Sequence, residues 1–400
     1  MGYTADGPVL WPTKPEGSQP VNETLAFLSD SMVASGTGAE QIRALRDVPR
    51  RTFSFSSLLG RGNQRIADAI RFDIGVRPFL LPIFPDQQWL TGAVAAGADS
   101  ISCRTTGFDF VSGGQVALWR NPQTWELATI DSISADGLAL TAPTASAWGP
   151  GDKLYPVRKA RLADTPKASW HTDTTLALDV AAIIDEPCDW PAAWPSATTY
   201  RGAPVLEWRN EVSDDPTDEY DRLSGSVDTD VGPIYYYDLP GMAFRAQSQN
   251  FKLYRRDKHT VFRSMLYALQ GRVSMLWVPT WLQDVQLAQA IGSAAVQIRV
   301  PWMGYSQFGY LQQNRRDIAI ELYDGTRFYR RITGSAESGD QEVLQLDAEL
   351  GVGIDPSAVR AIGWLSMCGS ASDAFQIQHI NDADGVGYAS INWRAVKSNV

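Results

Sequence analysis

The chain has 400 residues, of which 44% are hydrophobic and 20% charged, and its formal net charge is −10. Such fractions are typical of a folded globular protein, and the length favours two or three domains. The negative net charge argues against nucleic-acid binding, because a binding surface for phosphates needs clustered Lys and Arg. We therefore expect no stable nucleic-acid binding.

The cysteines and the apolar runs indicate in which cellular compartment the protein is made and whether it contains disulfides or a metal site. Cys103, Cys188 and Cys368 lie far apart and form no CxxC pair, which predicts reduced thiols in a protein made in a cytoplasm rather than disulfides or a zinc site. The opening MGYTADGPVLWP lacks a basic n-region and an apolar h-region, so we expect no signal peptide. No run approaches the ~18 apolar residues of a membrane span, so we expect no membrane insertion.

An internal repeat organises the chain. PVLW at 8–11 recurs as PVLEW at 204–208, and LSDSM at 28–32 recurs as LSGSV at 223–227. Further identities follow in the same order at a nearly constant offset: Arg77 and Arg272, Leu81 and Leu276, Ala93 and Ala288, Gly97 and Gly292. Ordered matches of this kind indicate a tandem duplication, with copies near 8–200 and 204–400.

The first copy reads as strands around one helix. Its alternating runs, typical of half-buried strands, are RTFSFS, DSISCRT, QVALW and LATIDSIS. Asn63 is predicted to cap a helix that ends at Gly75. Ile66, Ile70 and Ile74 are spaced to form its inner face.

The second copy repeats this order. Its alternating runs are AAVQIRV, DIAIELY, EVLQLDAEL, FQIQHI and YASINWRAV. Asp257 is predicted to cap a helix that ends at Gly271. The expected inner face of that helix consists of Val261, Phe262, Met265, Leu266 and Leu269. The dipeptides Asp136-Gly137, Asp324-Gly325 and Asp384-Gly385 predict tight hairpin turns.

The predicted fold class is mainly β, as two tandem copies of a β-barrel or sandwich domain with one short helix each. Residues 1–200 form the first β-rich repeat with an N-terminal arm, and residues 201–400 form the second with an acidic loop at its start. The segments 11–45 and 207–243 are rich in Gly, Ser, Pro and acidic residues, and we expect long loops or arms there that lie on another surface.

Patterns that carry catalysis or metal binding are weak. The chain has no P-loop, GxSxG or HExxH pattern, and we expect no catalytic, cofactor-binding or metal-binding residues. The run SDDPTDEYD at 213–221 admits a calcium site through Asp214, Asp215, Asp218 and Asp221, but it has no EF-hand spacing, and a solvated acidic loop is favoured. NDADG at 381–385 is interpreted as a hairpin turn. A carboxylate pair for glycoside hydrolysis stays open, because spatial separation is invisible in sequence.

Aromatic residues are the more serious candidates for a binding surface. They cluster in three runs: Trp277 and Trp281; Trp302, Tyr305, Phe308 and Tyr310; Tyr235, Tyr236 and Tyr237. Three tyrosines in a row on a strand must expose at least one ring, since side chains alternate between faces. Sugar stacking, a subunit interface or ordinary packing would each explain them, and packing is favoured for any single residue.

The chain resembles a known family at the head and middle of both copies. Those parts read PVLW, RRTFSFS…NQRIADAI…RPFLLPIFP and NFKLYRRD…VFRSMLYAL…VSMLWVPTW, about a third of the chain. The pattern is similar to minor tail proteins of long-tailed bacteriophages, above all the distal-tail proteins that join the tail tube to the baseplate. The resemblance implies a split-barrel domain with one helix, ring-shaped oligomers and no enzymatic activity. Here the unit is doubled, which puts a ring of six chains in doubt.

The expected function is therefore a structural virion component of a phage tail tip or baseplate, located in the tail. Its partners would be further copies of itself, as a trimer or hexamer ring, and the tail tube and baseplate proteins. The alternative is a carbohydrate- or receptor-binding tail protein that contacts the host surface through exposed aromatic residues.

Overall fold

The computed structural model describes residues 9–34, 39–60, 62–211, 217–380 and 385–397. Strands account for 49% of the chain and helices for 11%, which confirms the mainly β fold class. The described residues contain 25 strands and two α-helices.

The N-terminal half comprises the first thirteen strands and the first helix. They are β1 (Val21–Ala26), β2 (Ser29–Ala34), β3 (Ala39–Ala44), β4 (Arg50–Leu59), α1 (Asn63–Ile74), β5 (Phe79–Pro82), β6 (Gln88–Trp89), β7 (Ser100–Ser102), β8 (Gln115–Asn121), β9 (Thr124–Ser134), β10 (Gly137–Leu140), β11 (Lys153–Leu162), β12 (Lys167–Trp170) and β13 (Leu176–Ile184). A small hairpin of β14 (Thr199–Tyr200) and β15 (Ala203–Pro204) follows.

The C-terminal half contains the remaining strands and the second helix. They are β16 (Asp218–Val227), β17 (Tyr235–Tyr254), α2 (Arg255–Leu269), β18 (Leu276–Pro279), β19 (Gln297–Pro301), β20 (Asp317–Leu322), β21 (Arg327–Ser338), β22 (Gln341–Leu346), β23 (Val359–Ser370), β24 (Ala374–His379) and β25 (Val386–Ala395).

Strand pairing follows one order in both halves. In the N-terminal half β11 pairs with β5, β8 and β13, while β13 also pairs with β4 and β12. In the C-terminal half β23 pairs with β18, β20 and β25, while β25 also pairs with β17 and β24. The hairpins agree as well, since β8–β9–β10–β7 in one half matches β20–β21–β22–β19 in the other.

The two halves share one continuous sheet. All strands except the β2–β3 and β14–β15 hairpins belong to a single 21-stranded hydrogen-bonded network, and no closed barrel forms among the described strands. β1 connects the halves, because it pairs with β4 on one side and with β24 on the other.

The expectation of long loops at 11–45 and 207–243 is wrong. The first segment contains β1 and the β2–β3 hairpin, and the second contains β16 and the start of β17. The loop interpretation fails because β2, β3 and β16 have exposed or half-buried residues on both faces, so they lack the apolar alternation by which strands are recognised. Positions 213–216 of the acidic run lie outside the described residues.

Both predicted helices are present, but their N-terminal caps differ from those expected. Gly62 occupies the N-cap position of α1 in place of Asn63, and its N–H donates to Oε1 of Gln64. β17 runs directly into α2 through Tyr254, so Asp257 lies inside the first turn, where its carboxylate suits the helix dipole. α1 ends before Gly75 as predicted, while α2 ends at Leu269 and has Gln270, one residue before Gly271, as its C-cap.

The hydrophobic core of the C-terminal half includes side chains from the N-terminal half. Leu25 and Phe27 pack in the same buried cluster as Phe262, Met265 and the apolar face of β25. α2 therefore has its face covered from both halves. α1 is much less covered: Ile66 and Ile70 are only half-buried, and Phe72 is 96% exposed.

This difference between the helices predicts opposite responses to the same substitution. Met265→Asp places a carboxylate at a fully buried position and should lower the free energy of unfolding by roughly 3–5 kcal/mol. Phe72→Asp changes a side chain that contacts solvent in the single chain, and it should alter the free energy of unfolding of the monomer by less than about 0.5 kcal/mol. Urea unfolding followed by tryptophan fluorescence would measure both; equal midpoints for the two variants would contradict the burial of α2.

Candidate assembly interface

β1 is the strand through which the two halves meet. It runs antiparallel to both neighbours, with Glu23 opposite Phe53 of β4 and opposite Ile377 of β24. Its residues alternate between buried and half-buried, and Leu25 on its inner face is fully buried. A chain segment of the N-terminal half thereby completes the sheet of the C-terminal half. We call this contact, with the residues that pack around it, the internal joint.

A carboxylate with no solvent exposure lies at the centre of the internal joint. Glu23 accepts a hydrogen bond from Nε of Arg51 on β4 at 2.6 Å. Nη2 of Arg263 on α2 reaches both of its oxygens, at 2.8 and 2.6 Å. Nε2 of His379 on β24 lies 2.8 Å from Oε2. Three elements from both halves therefore converge on one side chain.

The surrounding cations keep this carboxylate ionised. Burial alone would raise the pKa of Glu23, but Arg263, Arg51 and the hydrogen bond with His379 hold it well below its usual range. An ionised carboxyl group in the interior is tolerated only when it is paired and hydrogen-bonded, as it is here. Because both oxygens are occupied and neither contacts solvent, Glu23 is placed to hold the halves together rather than to react with a substrate.

Asp109 extends the cluster into the N-terminal half. It forms ion pairs with Arg51 and Arg158, and all three side chains are buried. Burial opposes its ionisation, but the two arginines lower the pKa of Asp109 to about 2. Arg51 thus bridges Glu23 and Asp109 and is ion-paired on two sides.

A second contact of the internal joint lies at the start of α2. Nη2 of Arg256 pairs with the buried carboxylate of Asp86, and its Nε donates to the carbonyl oxygen of Gly107 at 2.7 Å. The guanidinium lies 4.2 Å from the ring centroid of Phe108. The loop between β7 and β8 is therefore held against the helix of the other half.

A third contact follows the end of β1. The backbone N–H and hydroxyl of Ser29 both donate to the carboxylate of Asp373, just before β24. Phe27 packs edge-on against Tyr267 with ring centroids 5.7 Å apart, and the Tyr267 hydroxyl donates to the carbonyl oxygen of Cys188. These contacts cover the face of α2 that would otherwise be exposed.

Two stacked histidines border the cluster. The rings of His259 on α2 and His379 lie 5.6 Å apart at an angle of 16°. Burial, with the nearby charge of His379, lowers the pKa of His259 to about 4. His259 is thus placed to stay neutral in the folded protein when the pH falls below its ordinary pKa.

The calcium interpretation of the acidic run is not supported by the residues that the structure describes. Asp218 and Asp221 lie on β16, three residues apart, so they face opposite sides of the strand and cannot converge on one ion. Asp218 pairs instead with Arg245 at 3.1 Å. Asp214 and Asp215 lie outside the described residues, as do residues 381–384 of the NDADG turn.

The predicted aromatic candidates separate into core and surface residues. Trp277, Trp281 and Tyr305 are buried, as packing residues are. Those left exposed include Trp302 and Phe308 in the loop after β19 and the row of Tyr235, Tyr236 and Tyr237 at the tip of the β16–β17 hairpin. They do not form one cluster with the internal joint.

Glu23 and its partners are the residues that sequence patterns missed. A signal was present, because Glu23 stands between Val21 and Leu25, at an inward position of an alternating run. A charge at such a position requires a buried partner, but the sequence does not say that the partners are 28, 240 and 356 residues away.

Two comparisons with known proteins find no relative of this chain. No protein-family model matches the sequence, and a search of curated proteins finds no significant match. Over the described ranges, no group of three or more His, Cys, Asp or Glu side chains is arranged to hold a metal ion. The described helices include none long and apolar enough to cross a membrane.

Glu23→Gln should destabilise the protein strongly. The substitution keeps the shape but leaves Arg263 without its carboxylate and Arg51 with Asp109 as its remaining ion-pair partner, so one buried positive charge is uncompensated, which costs roughly 3–5 kcal/mol. Glu349→Gln is the matched control, because Glu349 is exposed, and it should cost less than about 0.5 kcal/mol. Chemical denaturation would measure both, and similar midpoints for the two variants would disprove the role of Glu23.

Stability should fall on acidification in two steps. Between pH 6.5 and about 4 the unfolded chain protonates at His259 while the folded chain does not, so the free energy of unfolding decreases as pH falls. Below about pH 4 the unfolded chain also protonates at Glu23 and Asp109, whose pKa values are lowered in the folded chain, so the free energy of unfolding decreases further. Urea midpoints measured against pH should flatten over the upper step in His259→Phe but not in the exposed control His171→Phe; an unchanged upper step in both would contradict the assignment.

Proposed function

We propose that this protein is a structural component of a phage tail tip or baseplate, which connects the tail tube to the baseplate and its fibres through oligomeric assembly. The observation that carries the proposal is the internal joint, in which a strand of one half completes the sheet of the other around a buried ionised cluster. A joint of this kind serves to hold repeated units at a fixed mutual geometry, as a ring requires.

The proposal includes a tandem arrangement. Residues 1–200 and 201–400 would be two copies of one split-barrel-like domain with a short helix each. The recurrence of the strand pairing in both halves supports this, as do the parallel bridges Leu10–Leu80 and Val205–Trp277 at corresponding places. Three chains would then supply six similar units around an axis, and six chains would supply twelve.

The described residues support a structural role better than a catalytic one. The most perturbed acidic groups, Glu23 and Asp109, are occupied by arginines and buried. Groups tuned for catalysis usually face a cleft, so this placement favours a structural role without enzymatic activity. The location would be the virion tail.

A carbohydrate- or receptor-binding tail protein is the alternative. The observation that favours it is the exposure of Tyr235 and Tyr236 at 67% and 73%, with Phe308 at 75%. Flat aromatic faces of this kind suit the apolar faces of sugar rings. Replacement of both tyrosines by serine would abolish glycan binding under this alternative and leave the fold of the single chain unchanged.

Electron microscopy of the purified protein would test the leading proposal. We expect ring-shaped particles, and a phage that lacks the gene should produce particles without complete tails. A phage whose tails assemble and infect normally without the protein would refute the proposed function. A monomer that binds host-surface glycan would support the alternative instead.

A further inference from the structure

We infer that the internal joint is repeated between molecules: the β16–β17 hairpin of one chain adds to the open edge of β12 and covers α1 in a second copy. This inference rests on the oligomeric part of the proposed function and names the surfaces that carry it. The evidence is the correspondence between residues of the internal joint and residues at these two open surfaces.

Two strand edges are left open in the described structure where their counterparts are paired. β1 has neighbours on both sides, whereas β16 pairs with β17 alone. β24 lies between β25 and β1, whereas β12 pairs with β13 alone. The strand that would occupy the edge of β12 is thus the counterpart of β1, which is β16.

The pairing registers align the β1–β4 pair with the β16–β17 pair residue by residue, and we call these two strand pairs the two arms. Ala182 of β13 is paired with Phe53 of β4, and Trp393 of β25 is paired with Gln247 of β17 at the equivalent position in the sheet. Glu23 is opposite Phe53, and Asp218 is opposite Gln247. The corresponding pairs are Glu23 with Asp218, Ser29 with Ser224 and Arg51 with Arg245.

The same ion pair is therefore present in both halves, but it has fewer partners in the second. Arg51 bonds to two carboxylates and has only Nη2 without an acceptor among the described residues, whereas Arg245 bonds to Asp218 alone and lacks an acceptor at both Nε and Nη1, although its side chain is only 8% exposed. An arginine buried with two unfilled N–H groups is costly unless a further acceptor arrives. Arg245 also lines an open cavity of about 440 Å³, beside the loop that follows β19.

The corresponding loop of the N-terminal half is filled from the other half. There, the loop between β7 and β8 receives Arg256 from α2. In the C-terminal half, Tyr305 and Phe308 of the loop after β19 line the cavity with Arg245, and Phe308 stays 75% exposed. The cavity lies where the internal joint would place the helix of a neighbouring unit.

The helix that would fill it is α1 of another chain. Aligned at Ile70 with Met265, Phe72 of α1 corresponds to Tyr267 of α2, and these two side chains are 96% and 7% exposed. Asp68 corresponds to Arg263, which pairs with Glu23 in the internal joint. A carboxylate at this position would supply the acceptor that Arg245 lacks, and Asp68 is 71% exposed with only a long contact of 3.7 Å to Arg71.

The edge of β12 carries matching groups. Asp164 corresponds to Asp373, so Ser224 of the neighbour could donate to it as Ser29 donates to Asp373. In the same register Glu219 stands opposite Lys167, the counterparts of Thr24 and Gln376. Opposite charges directly across an antiparallel pair stabilise the pairing.

A contact between two different surfaces of the same chain is heterologous. Such contacts propagate head to tail and close into a ring when the rotation at each step permits. Because each chain already contains one internal joint, every chain added contributes two units and one new joint. Closure after three chains would give six units with alternating internal and intermolecular joints.

A charge exchange tests the predicted register. Glu219→Lys or Lys167→Glu alone should convert the oligomer to monomers, because like charges then oppose each other at every intermolecular joint. The double variant should restore the oligomer, as measured by size-exclusion chromatography with light scattering. Asp131→Lys, an exposed position on β9, is the charge-matched control and should assemble like the wild type. Single variants that assemble normally, or a wild type that stays monomeric at every concentration, would overturn the inference.

Mixing the two single variants tests closure. Each forms the favourable pair only with the other, so chains must alternate around a ring. A ring of three chains cannot alternate, so the mixture should give open chains or larger even-numbered rings in native mass spectra. Closed rings of three from the mixture would overturn the charge pairing.

Cross-linking tests the register independently of stability. Thr217 and Ser169 correspond to Asn22 and Gln378, which are opposite each other in the internal joint, and both are exposed. Thr217→Cys with Ser169→Cys should cross-link chains under mild oxidation. Thr217→Cys with His171→Cys, two positions out of register, should cross-link far less, and equal yields would refute the proposed pairing.

The two proposals can fail separately. A protein that forms rings through this joint but is dispensable for tail assembly would refute the phage function alone. A protein that is essential in tails and insensitive to the charge exchange and the cross-link would refute the joint alone.

Discussion

The structure depends on one desolvated carboxylate. Glu23 has no exposure, so its charge must be compensated by protein groups, and those groups come from β4, α2 and β24 at once. A buried ion cluster of this kind contributes little net stability compared with apolar packing, but it penalises every arrangement that leaves one member unpaired. The cluster therefore specifies how the halves meet. The apolar contacts of Leu25 and Phe27 then supply the area that holds them there.

Strand addition and charge pairing act on different aspects of the same contact. Backbone hydrogen bonds between β1 and β24 would form in any even register, since a shift of two residues keeps the faces in place. Glu23 removes this freedom, because only one register brings it to both Arg263 and His379. The backbone thus provides affinity and the buried charges provide position, which is what a fixed angle between units requires.

Sequence patterns predicted the elements better than the interface. The alternating runs and the two helices were predictable, because Ile70 and Met265 sit on apolar stripes with helical spacing. β2, β3 and β16 were not, since both of their faces carry exposed or half-buried residues in the single chain and the apolar alternation is missing. The internal joint was unpredictable because it is made by residues hundreds of positions apart, although an inward Glu23 in an apolar alternation indicates that some partner exists.

Open strand edges explain why the two arms differ in composition. An unpaired edge is an aggregation hazard that proteins limit with charged side chains and short strands. β12 has four residues and carries Lys167, and β16 carries Asp218, Glu219 and Asp221, whereas β1, already paired on both sides, can bury its acidic residue completely. The side chain of Asp218 is 37% exposed, so its pair with Arg245 tolerates water in the single chain. An arm built in this way tolerates an open edge in the single chain, whereas a buried carboxylate such as Glu23 does not, because the cluster around it has no hydrated alternative.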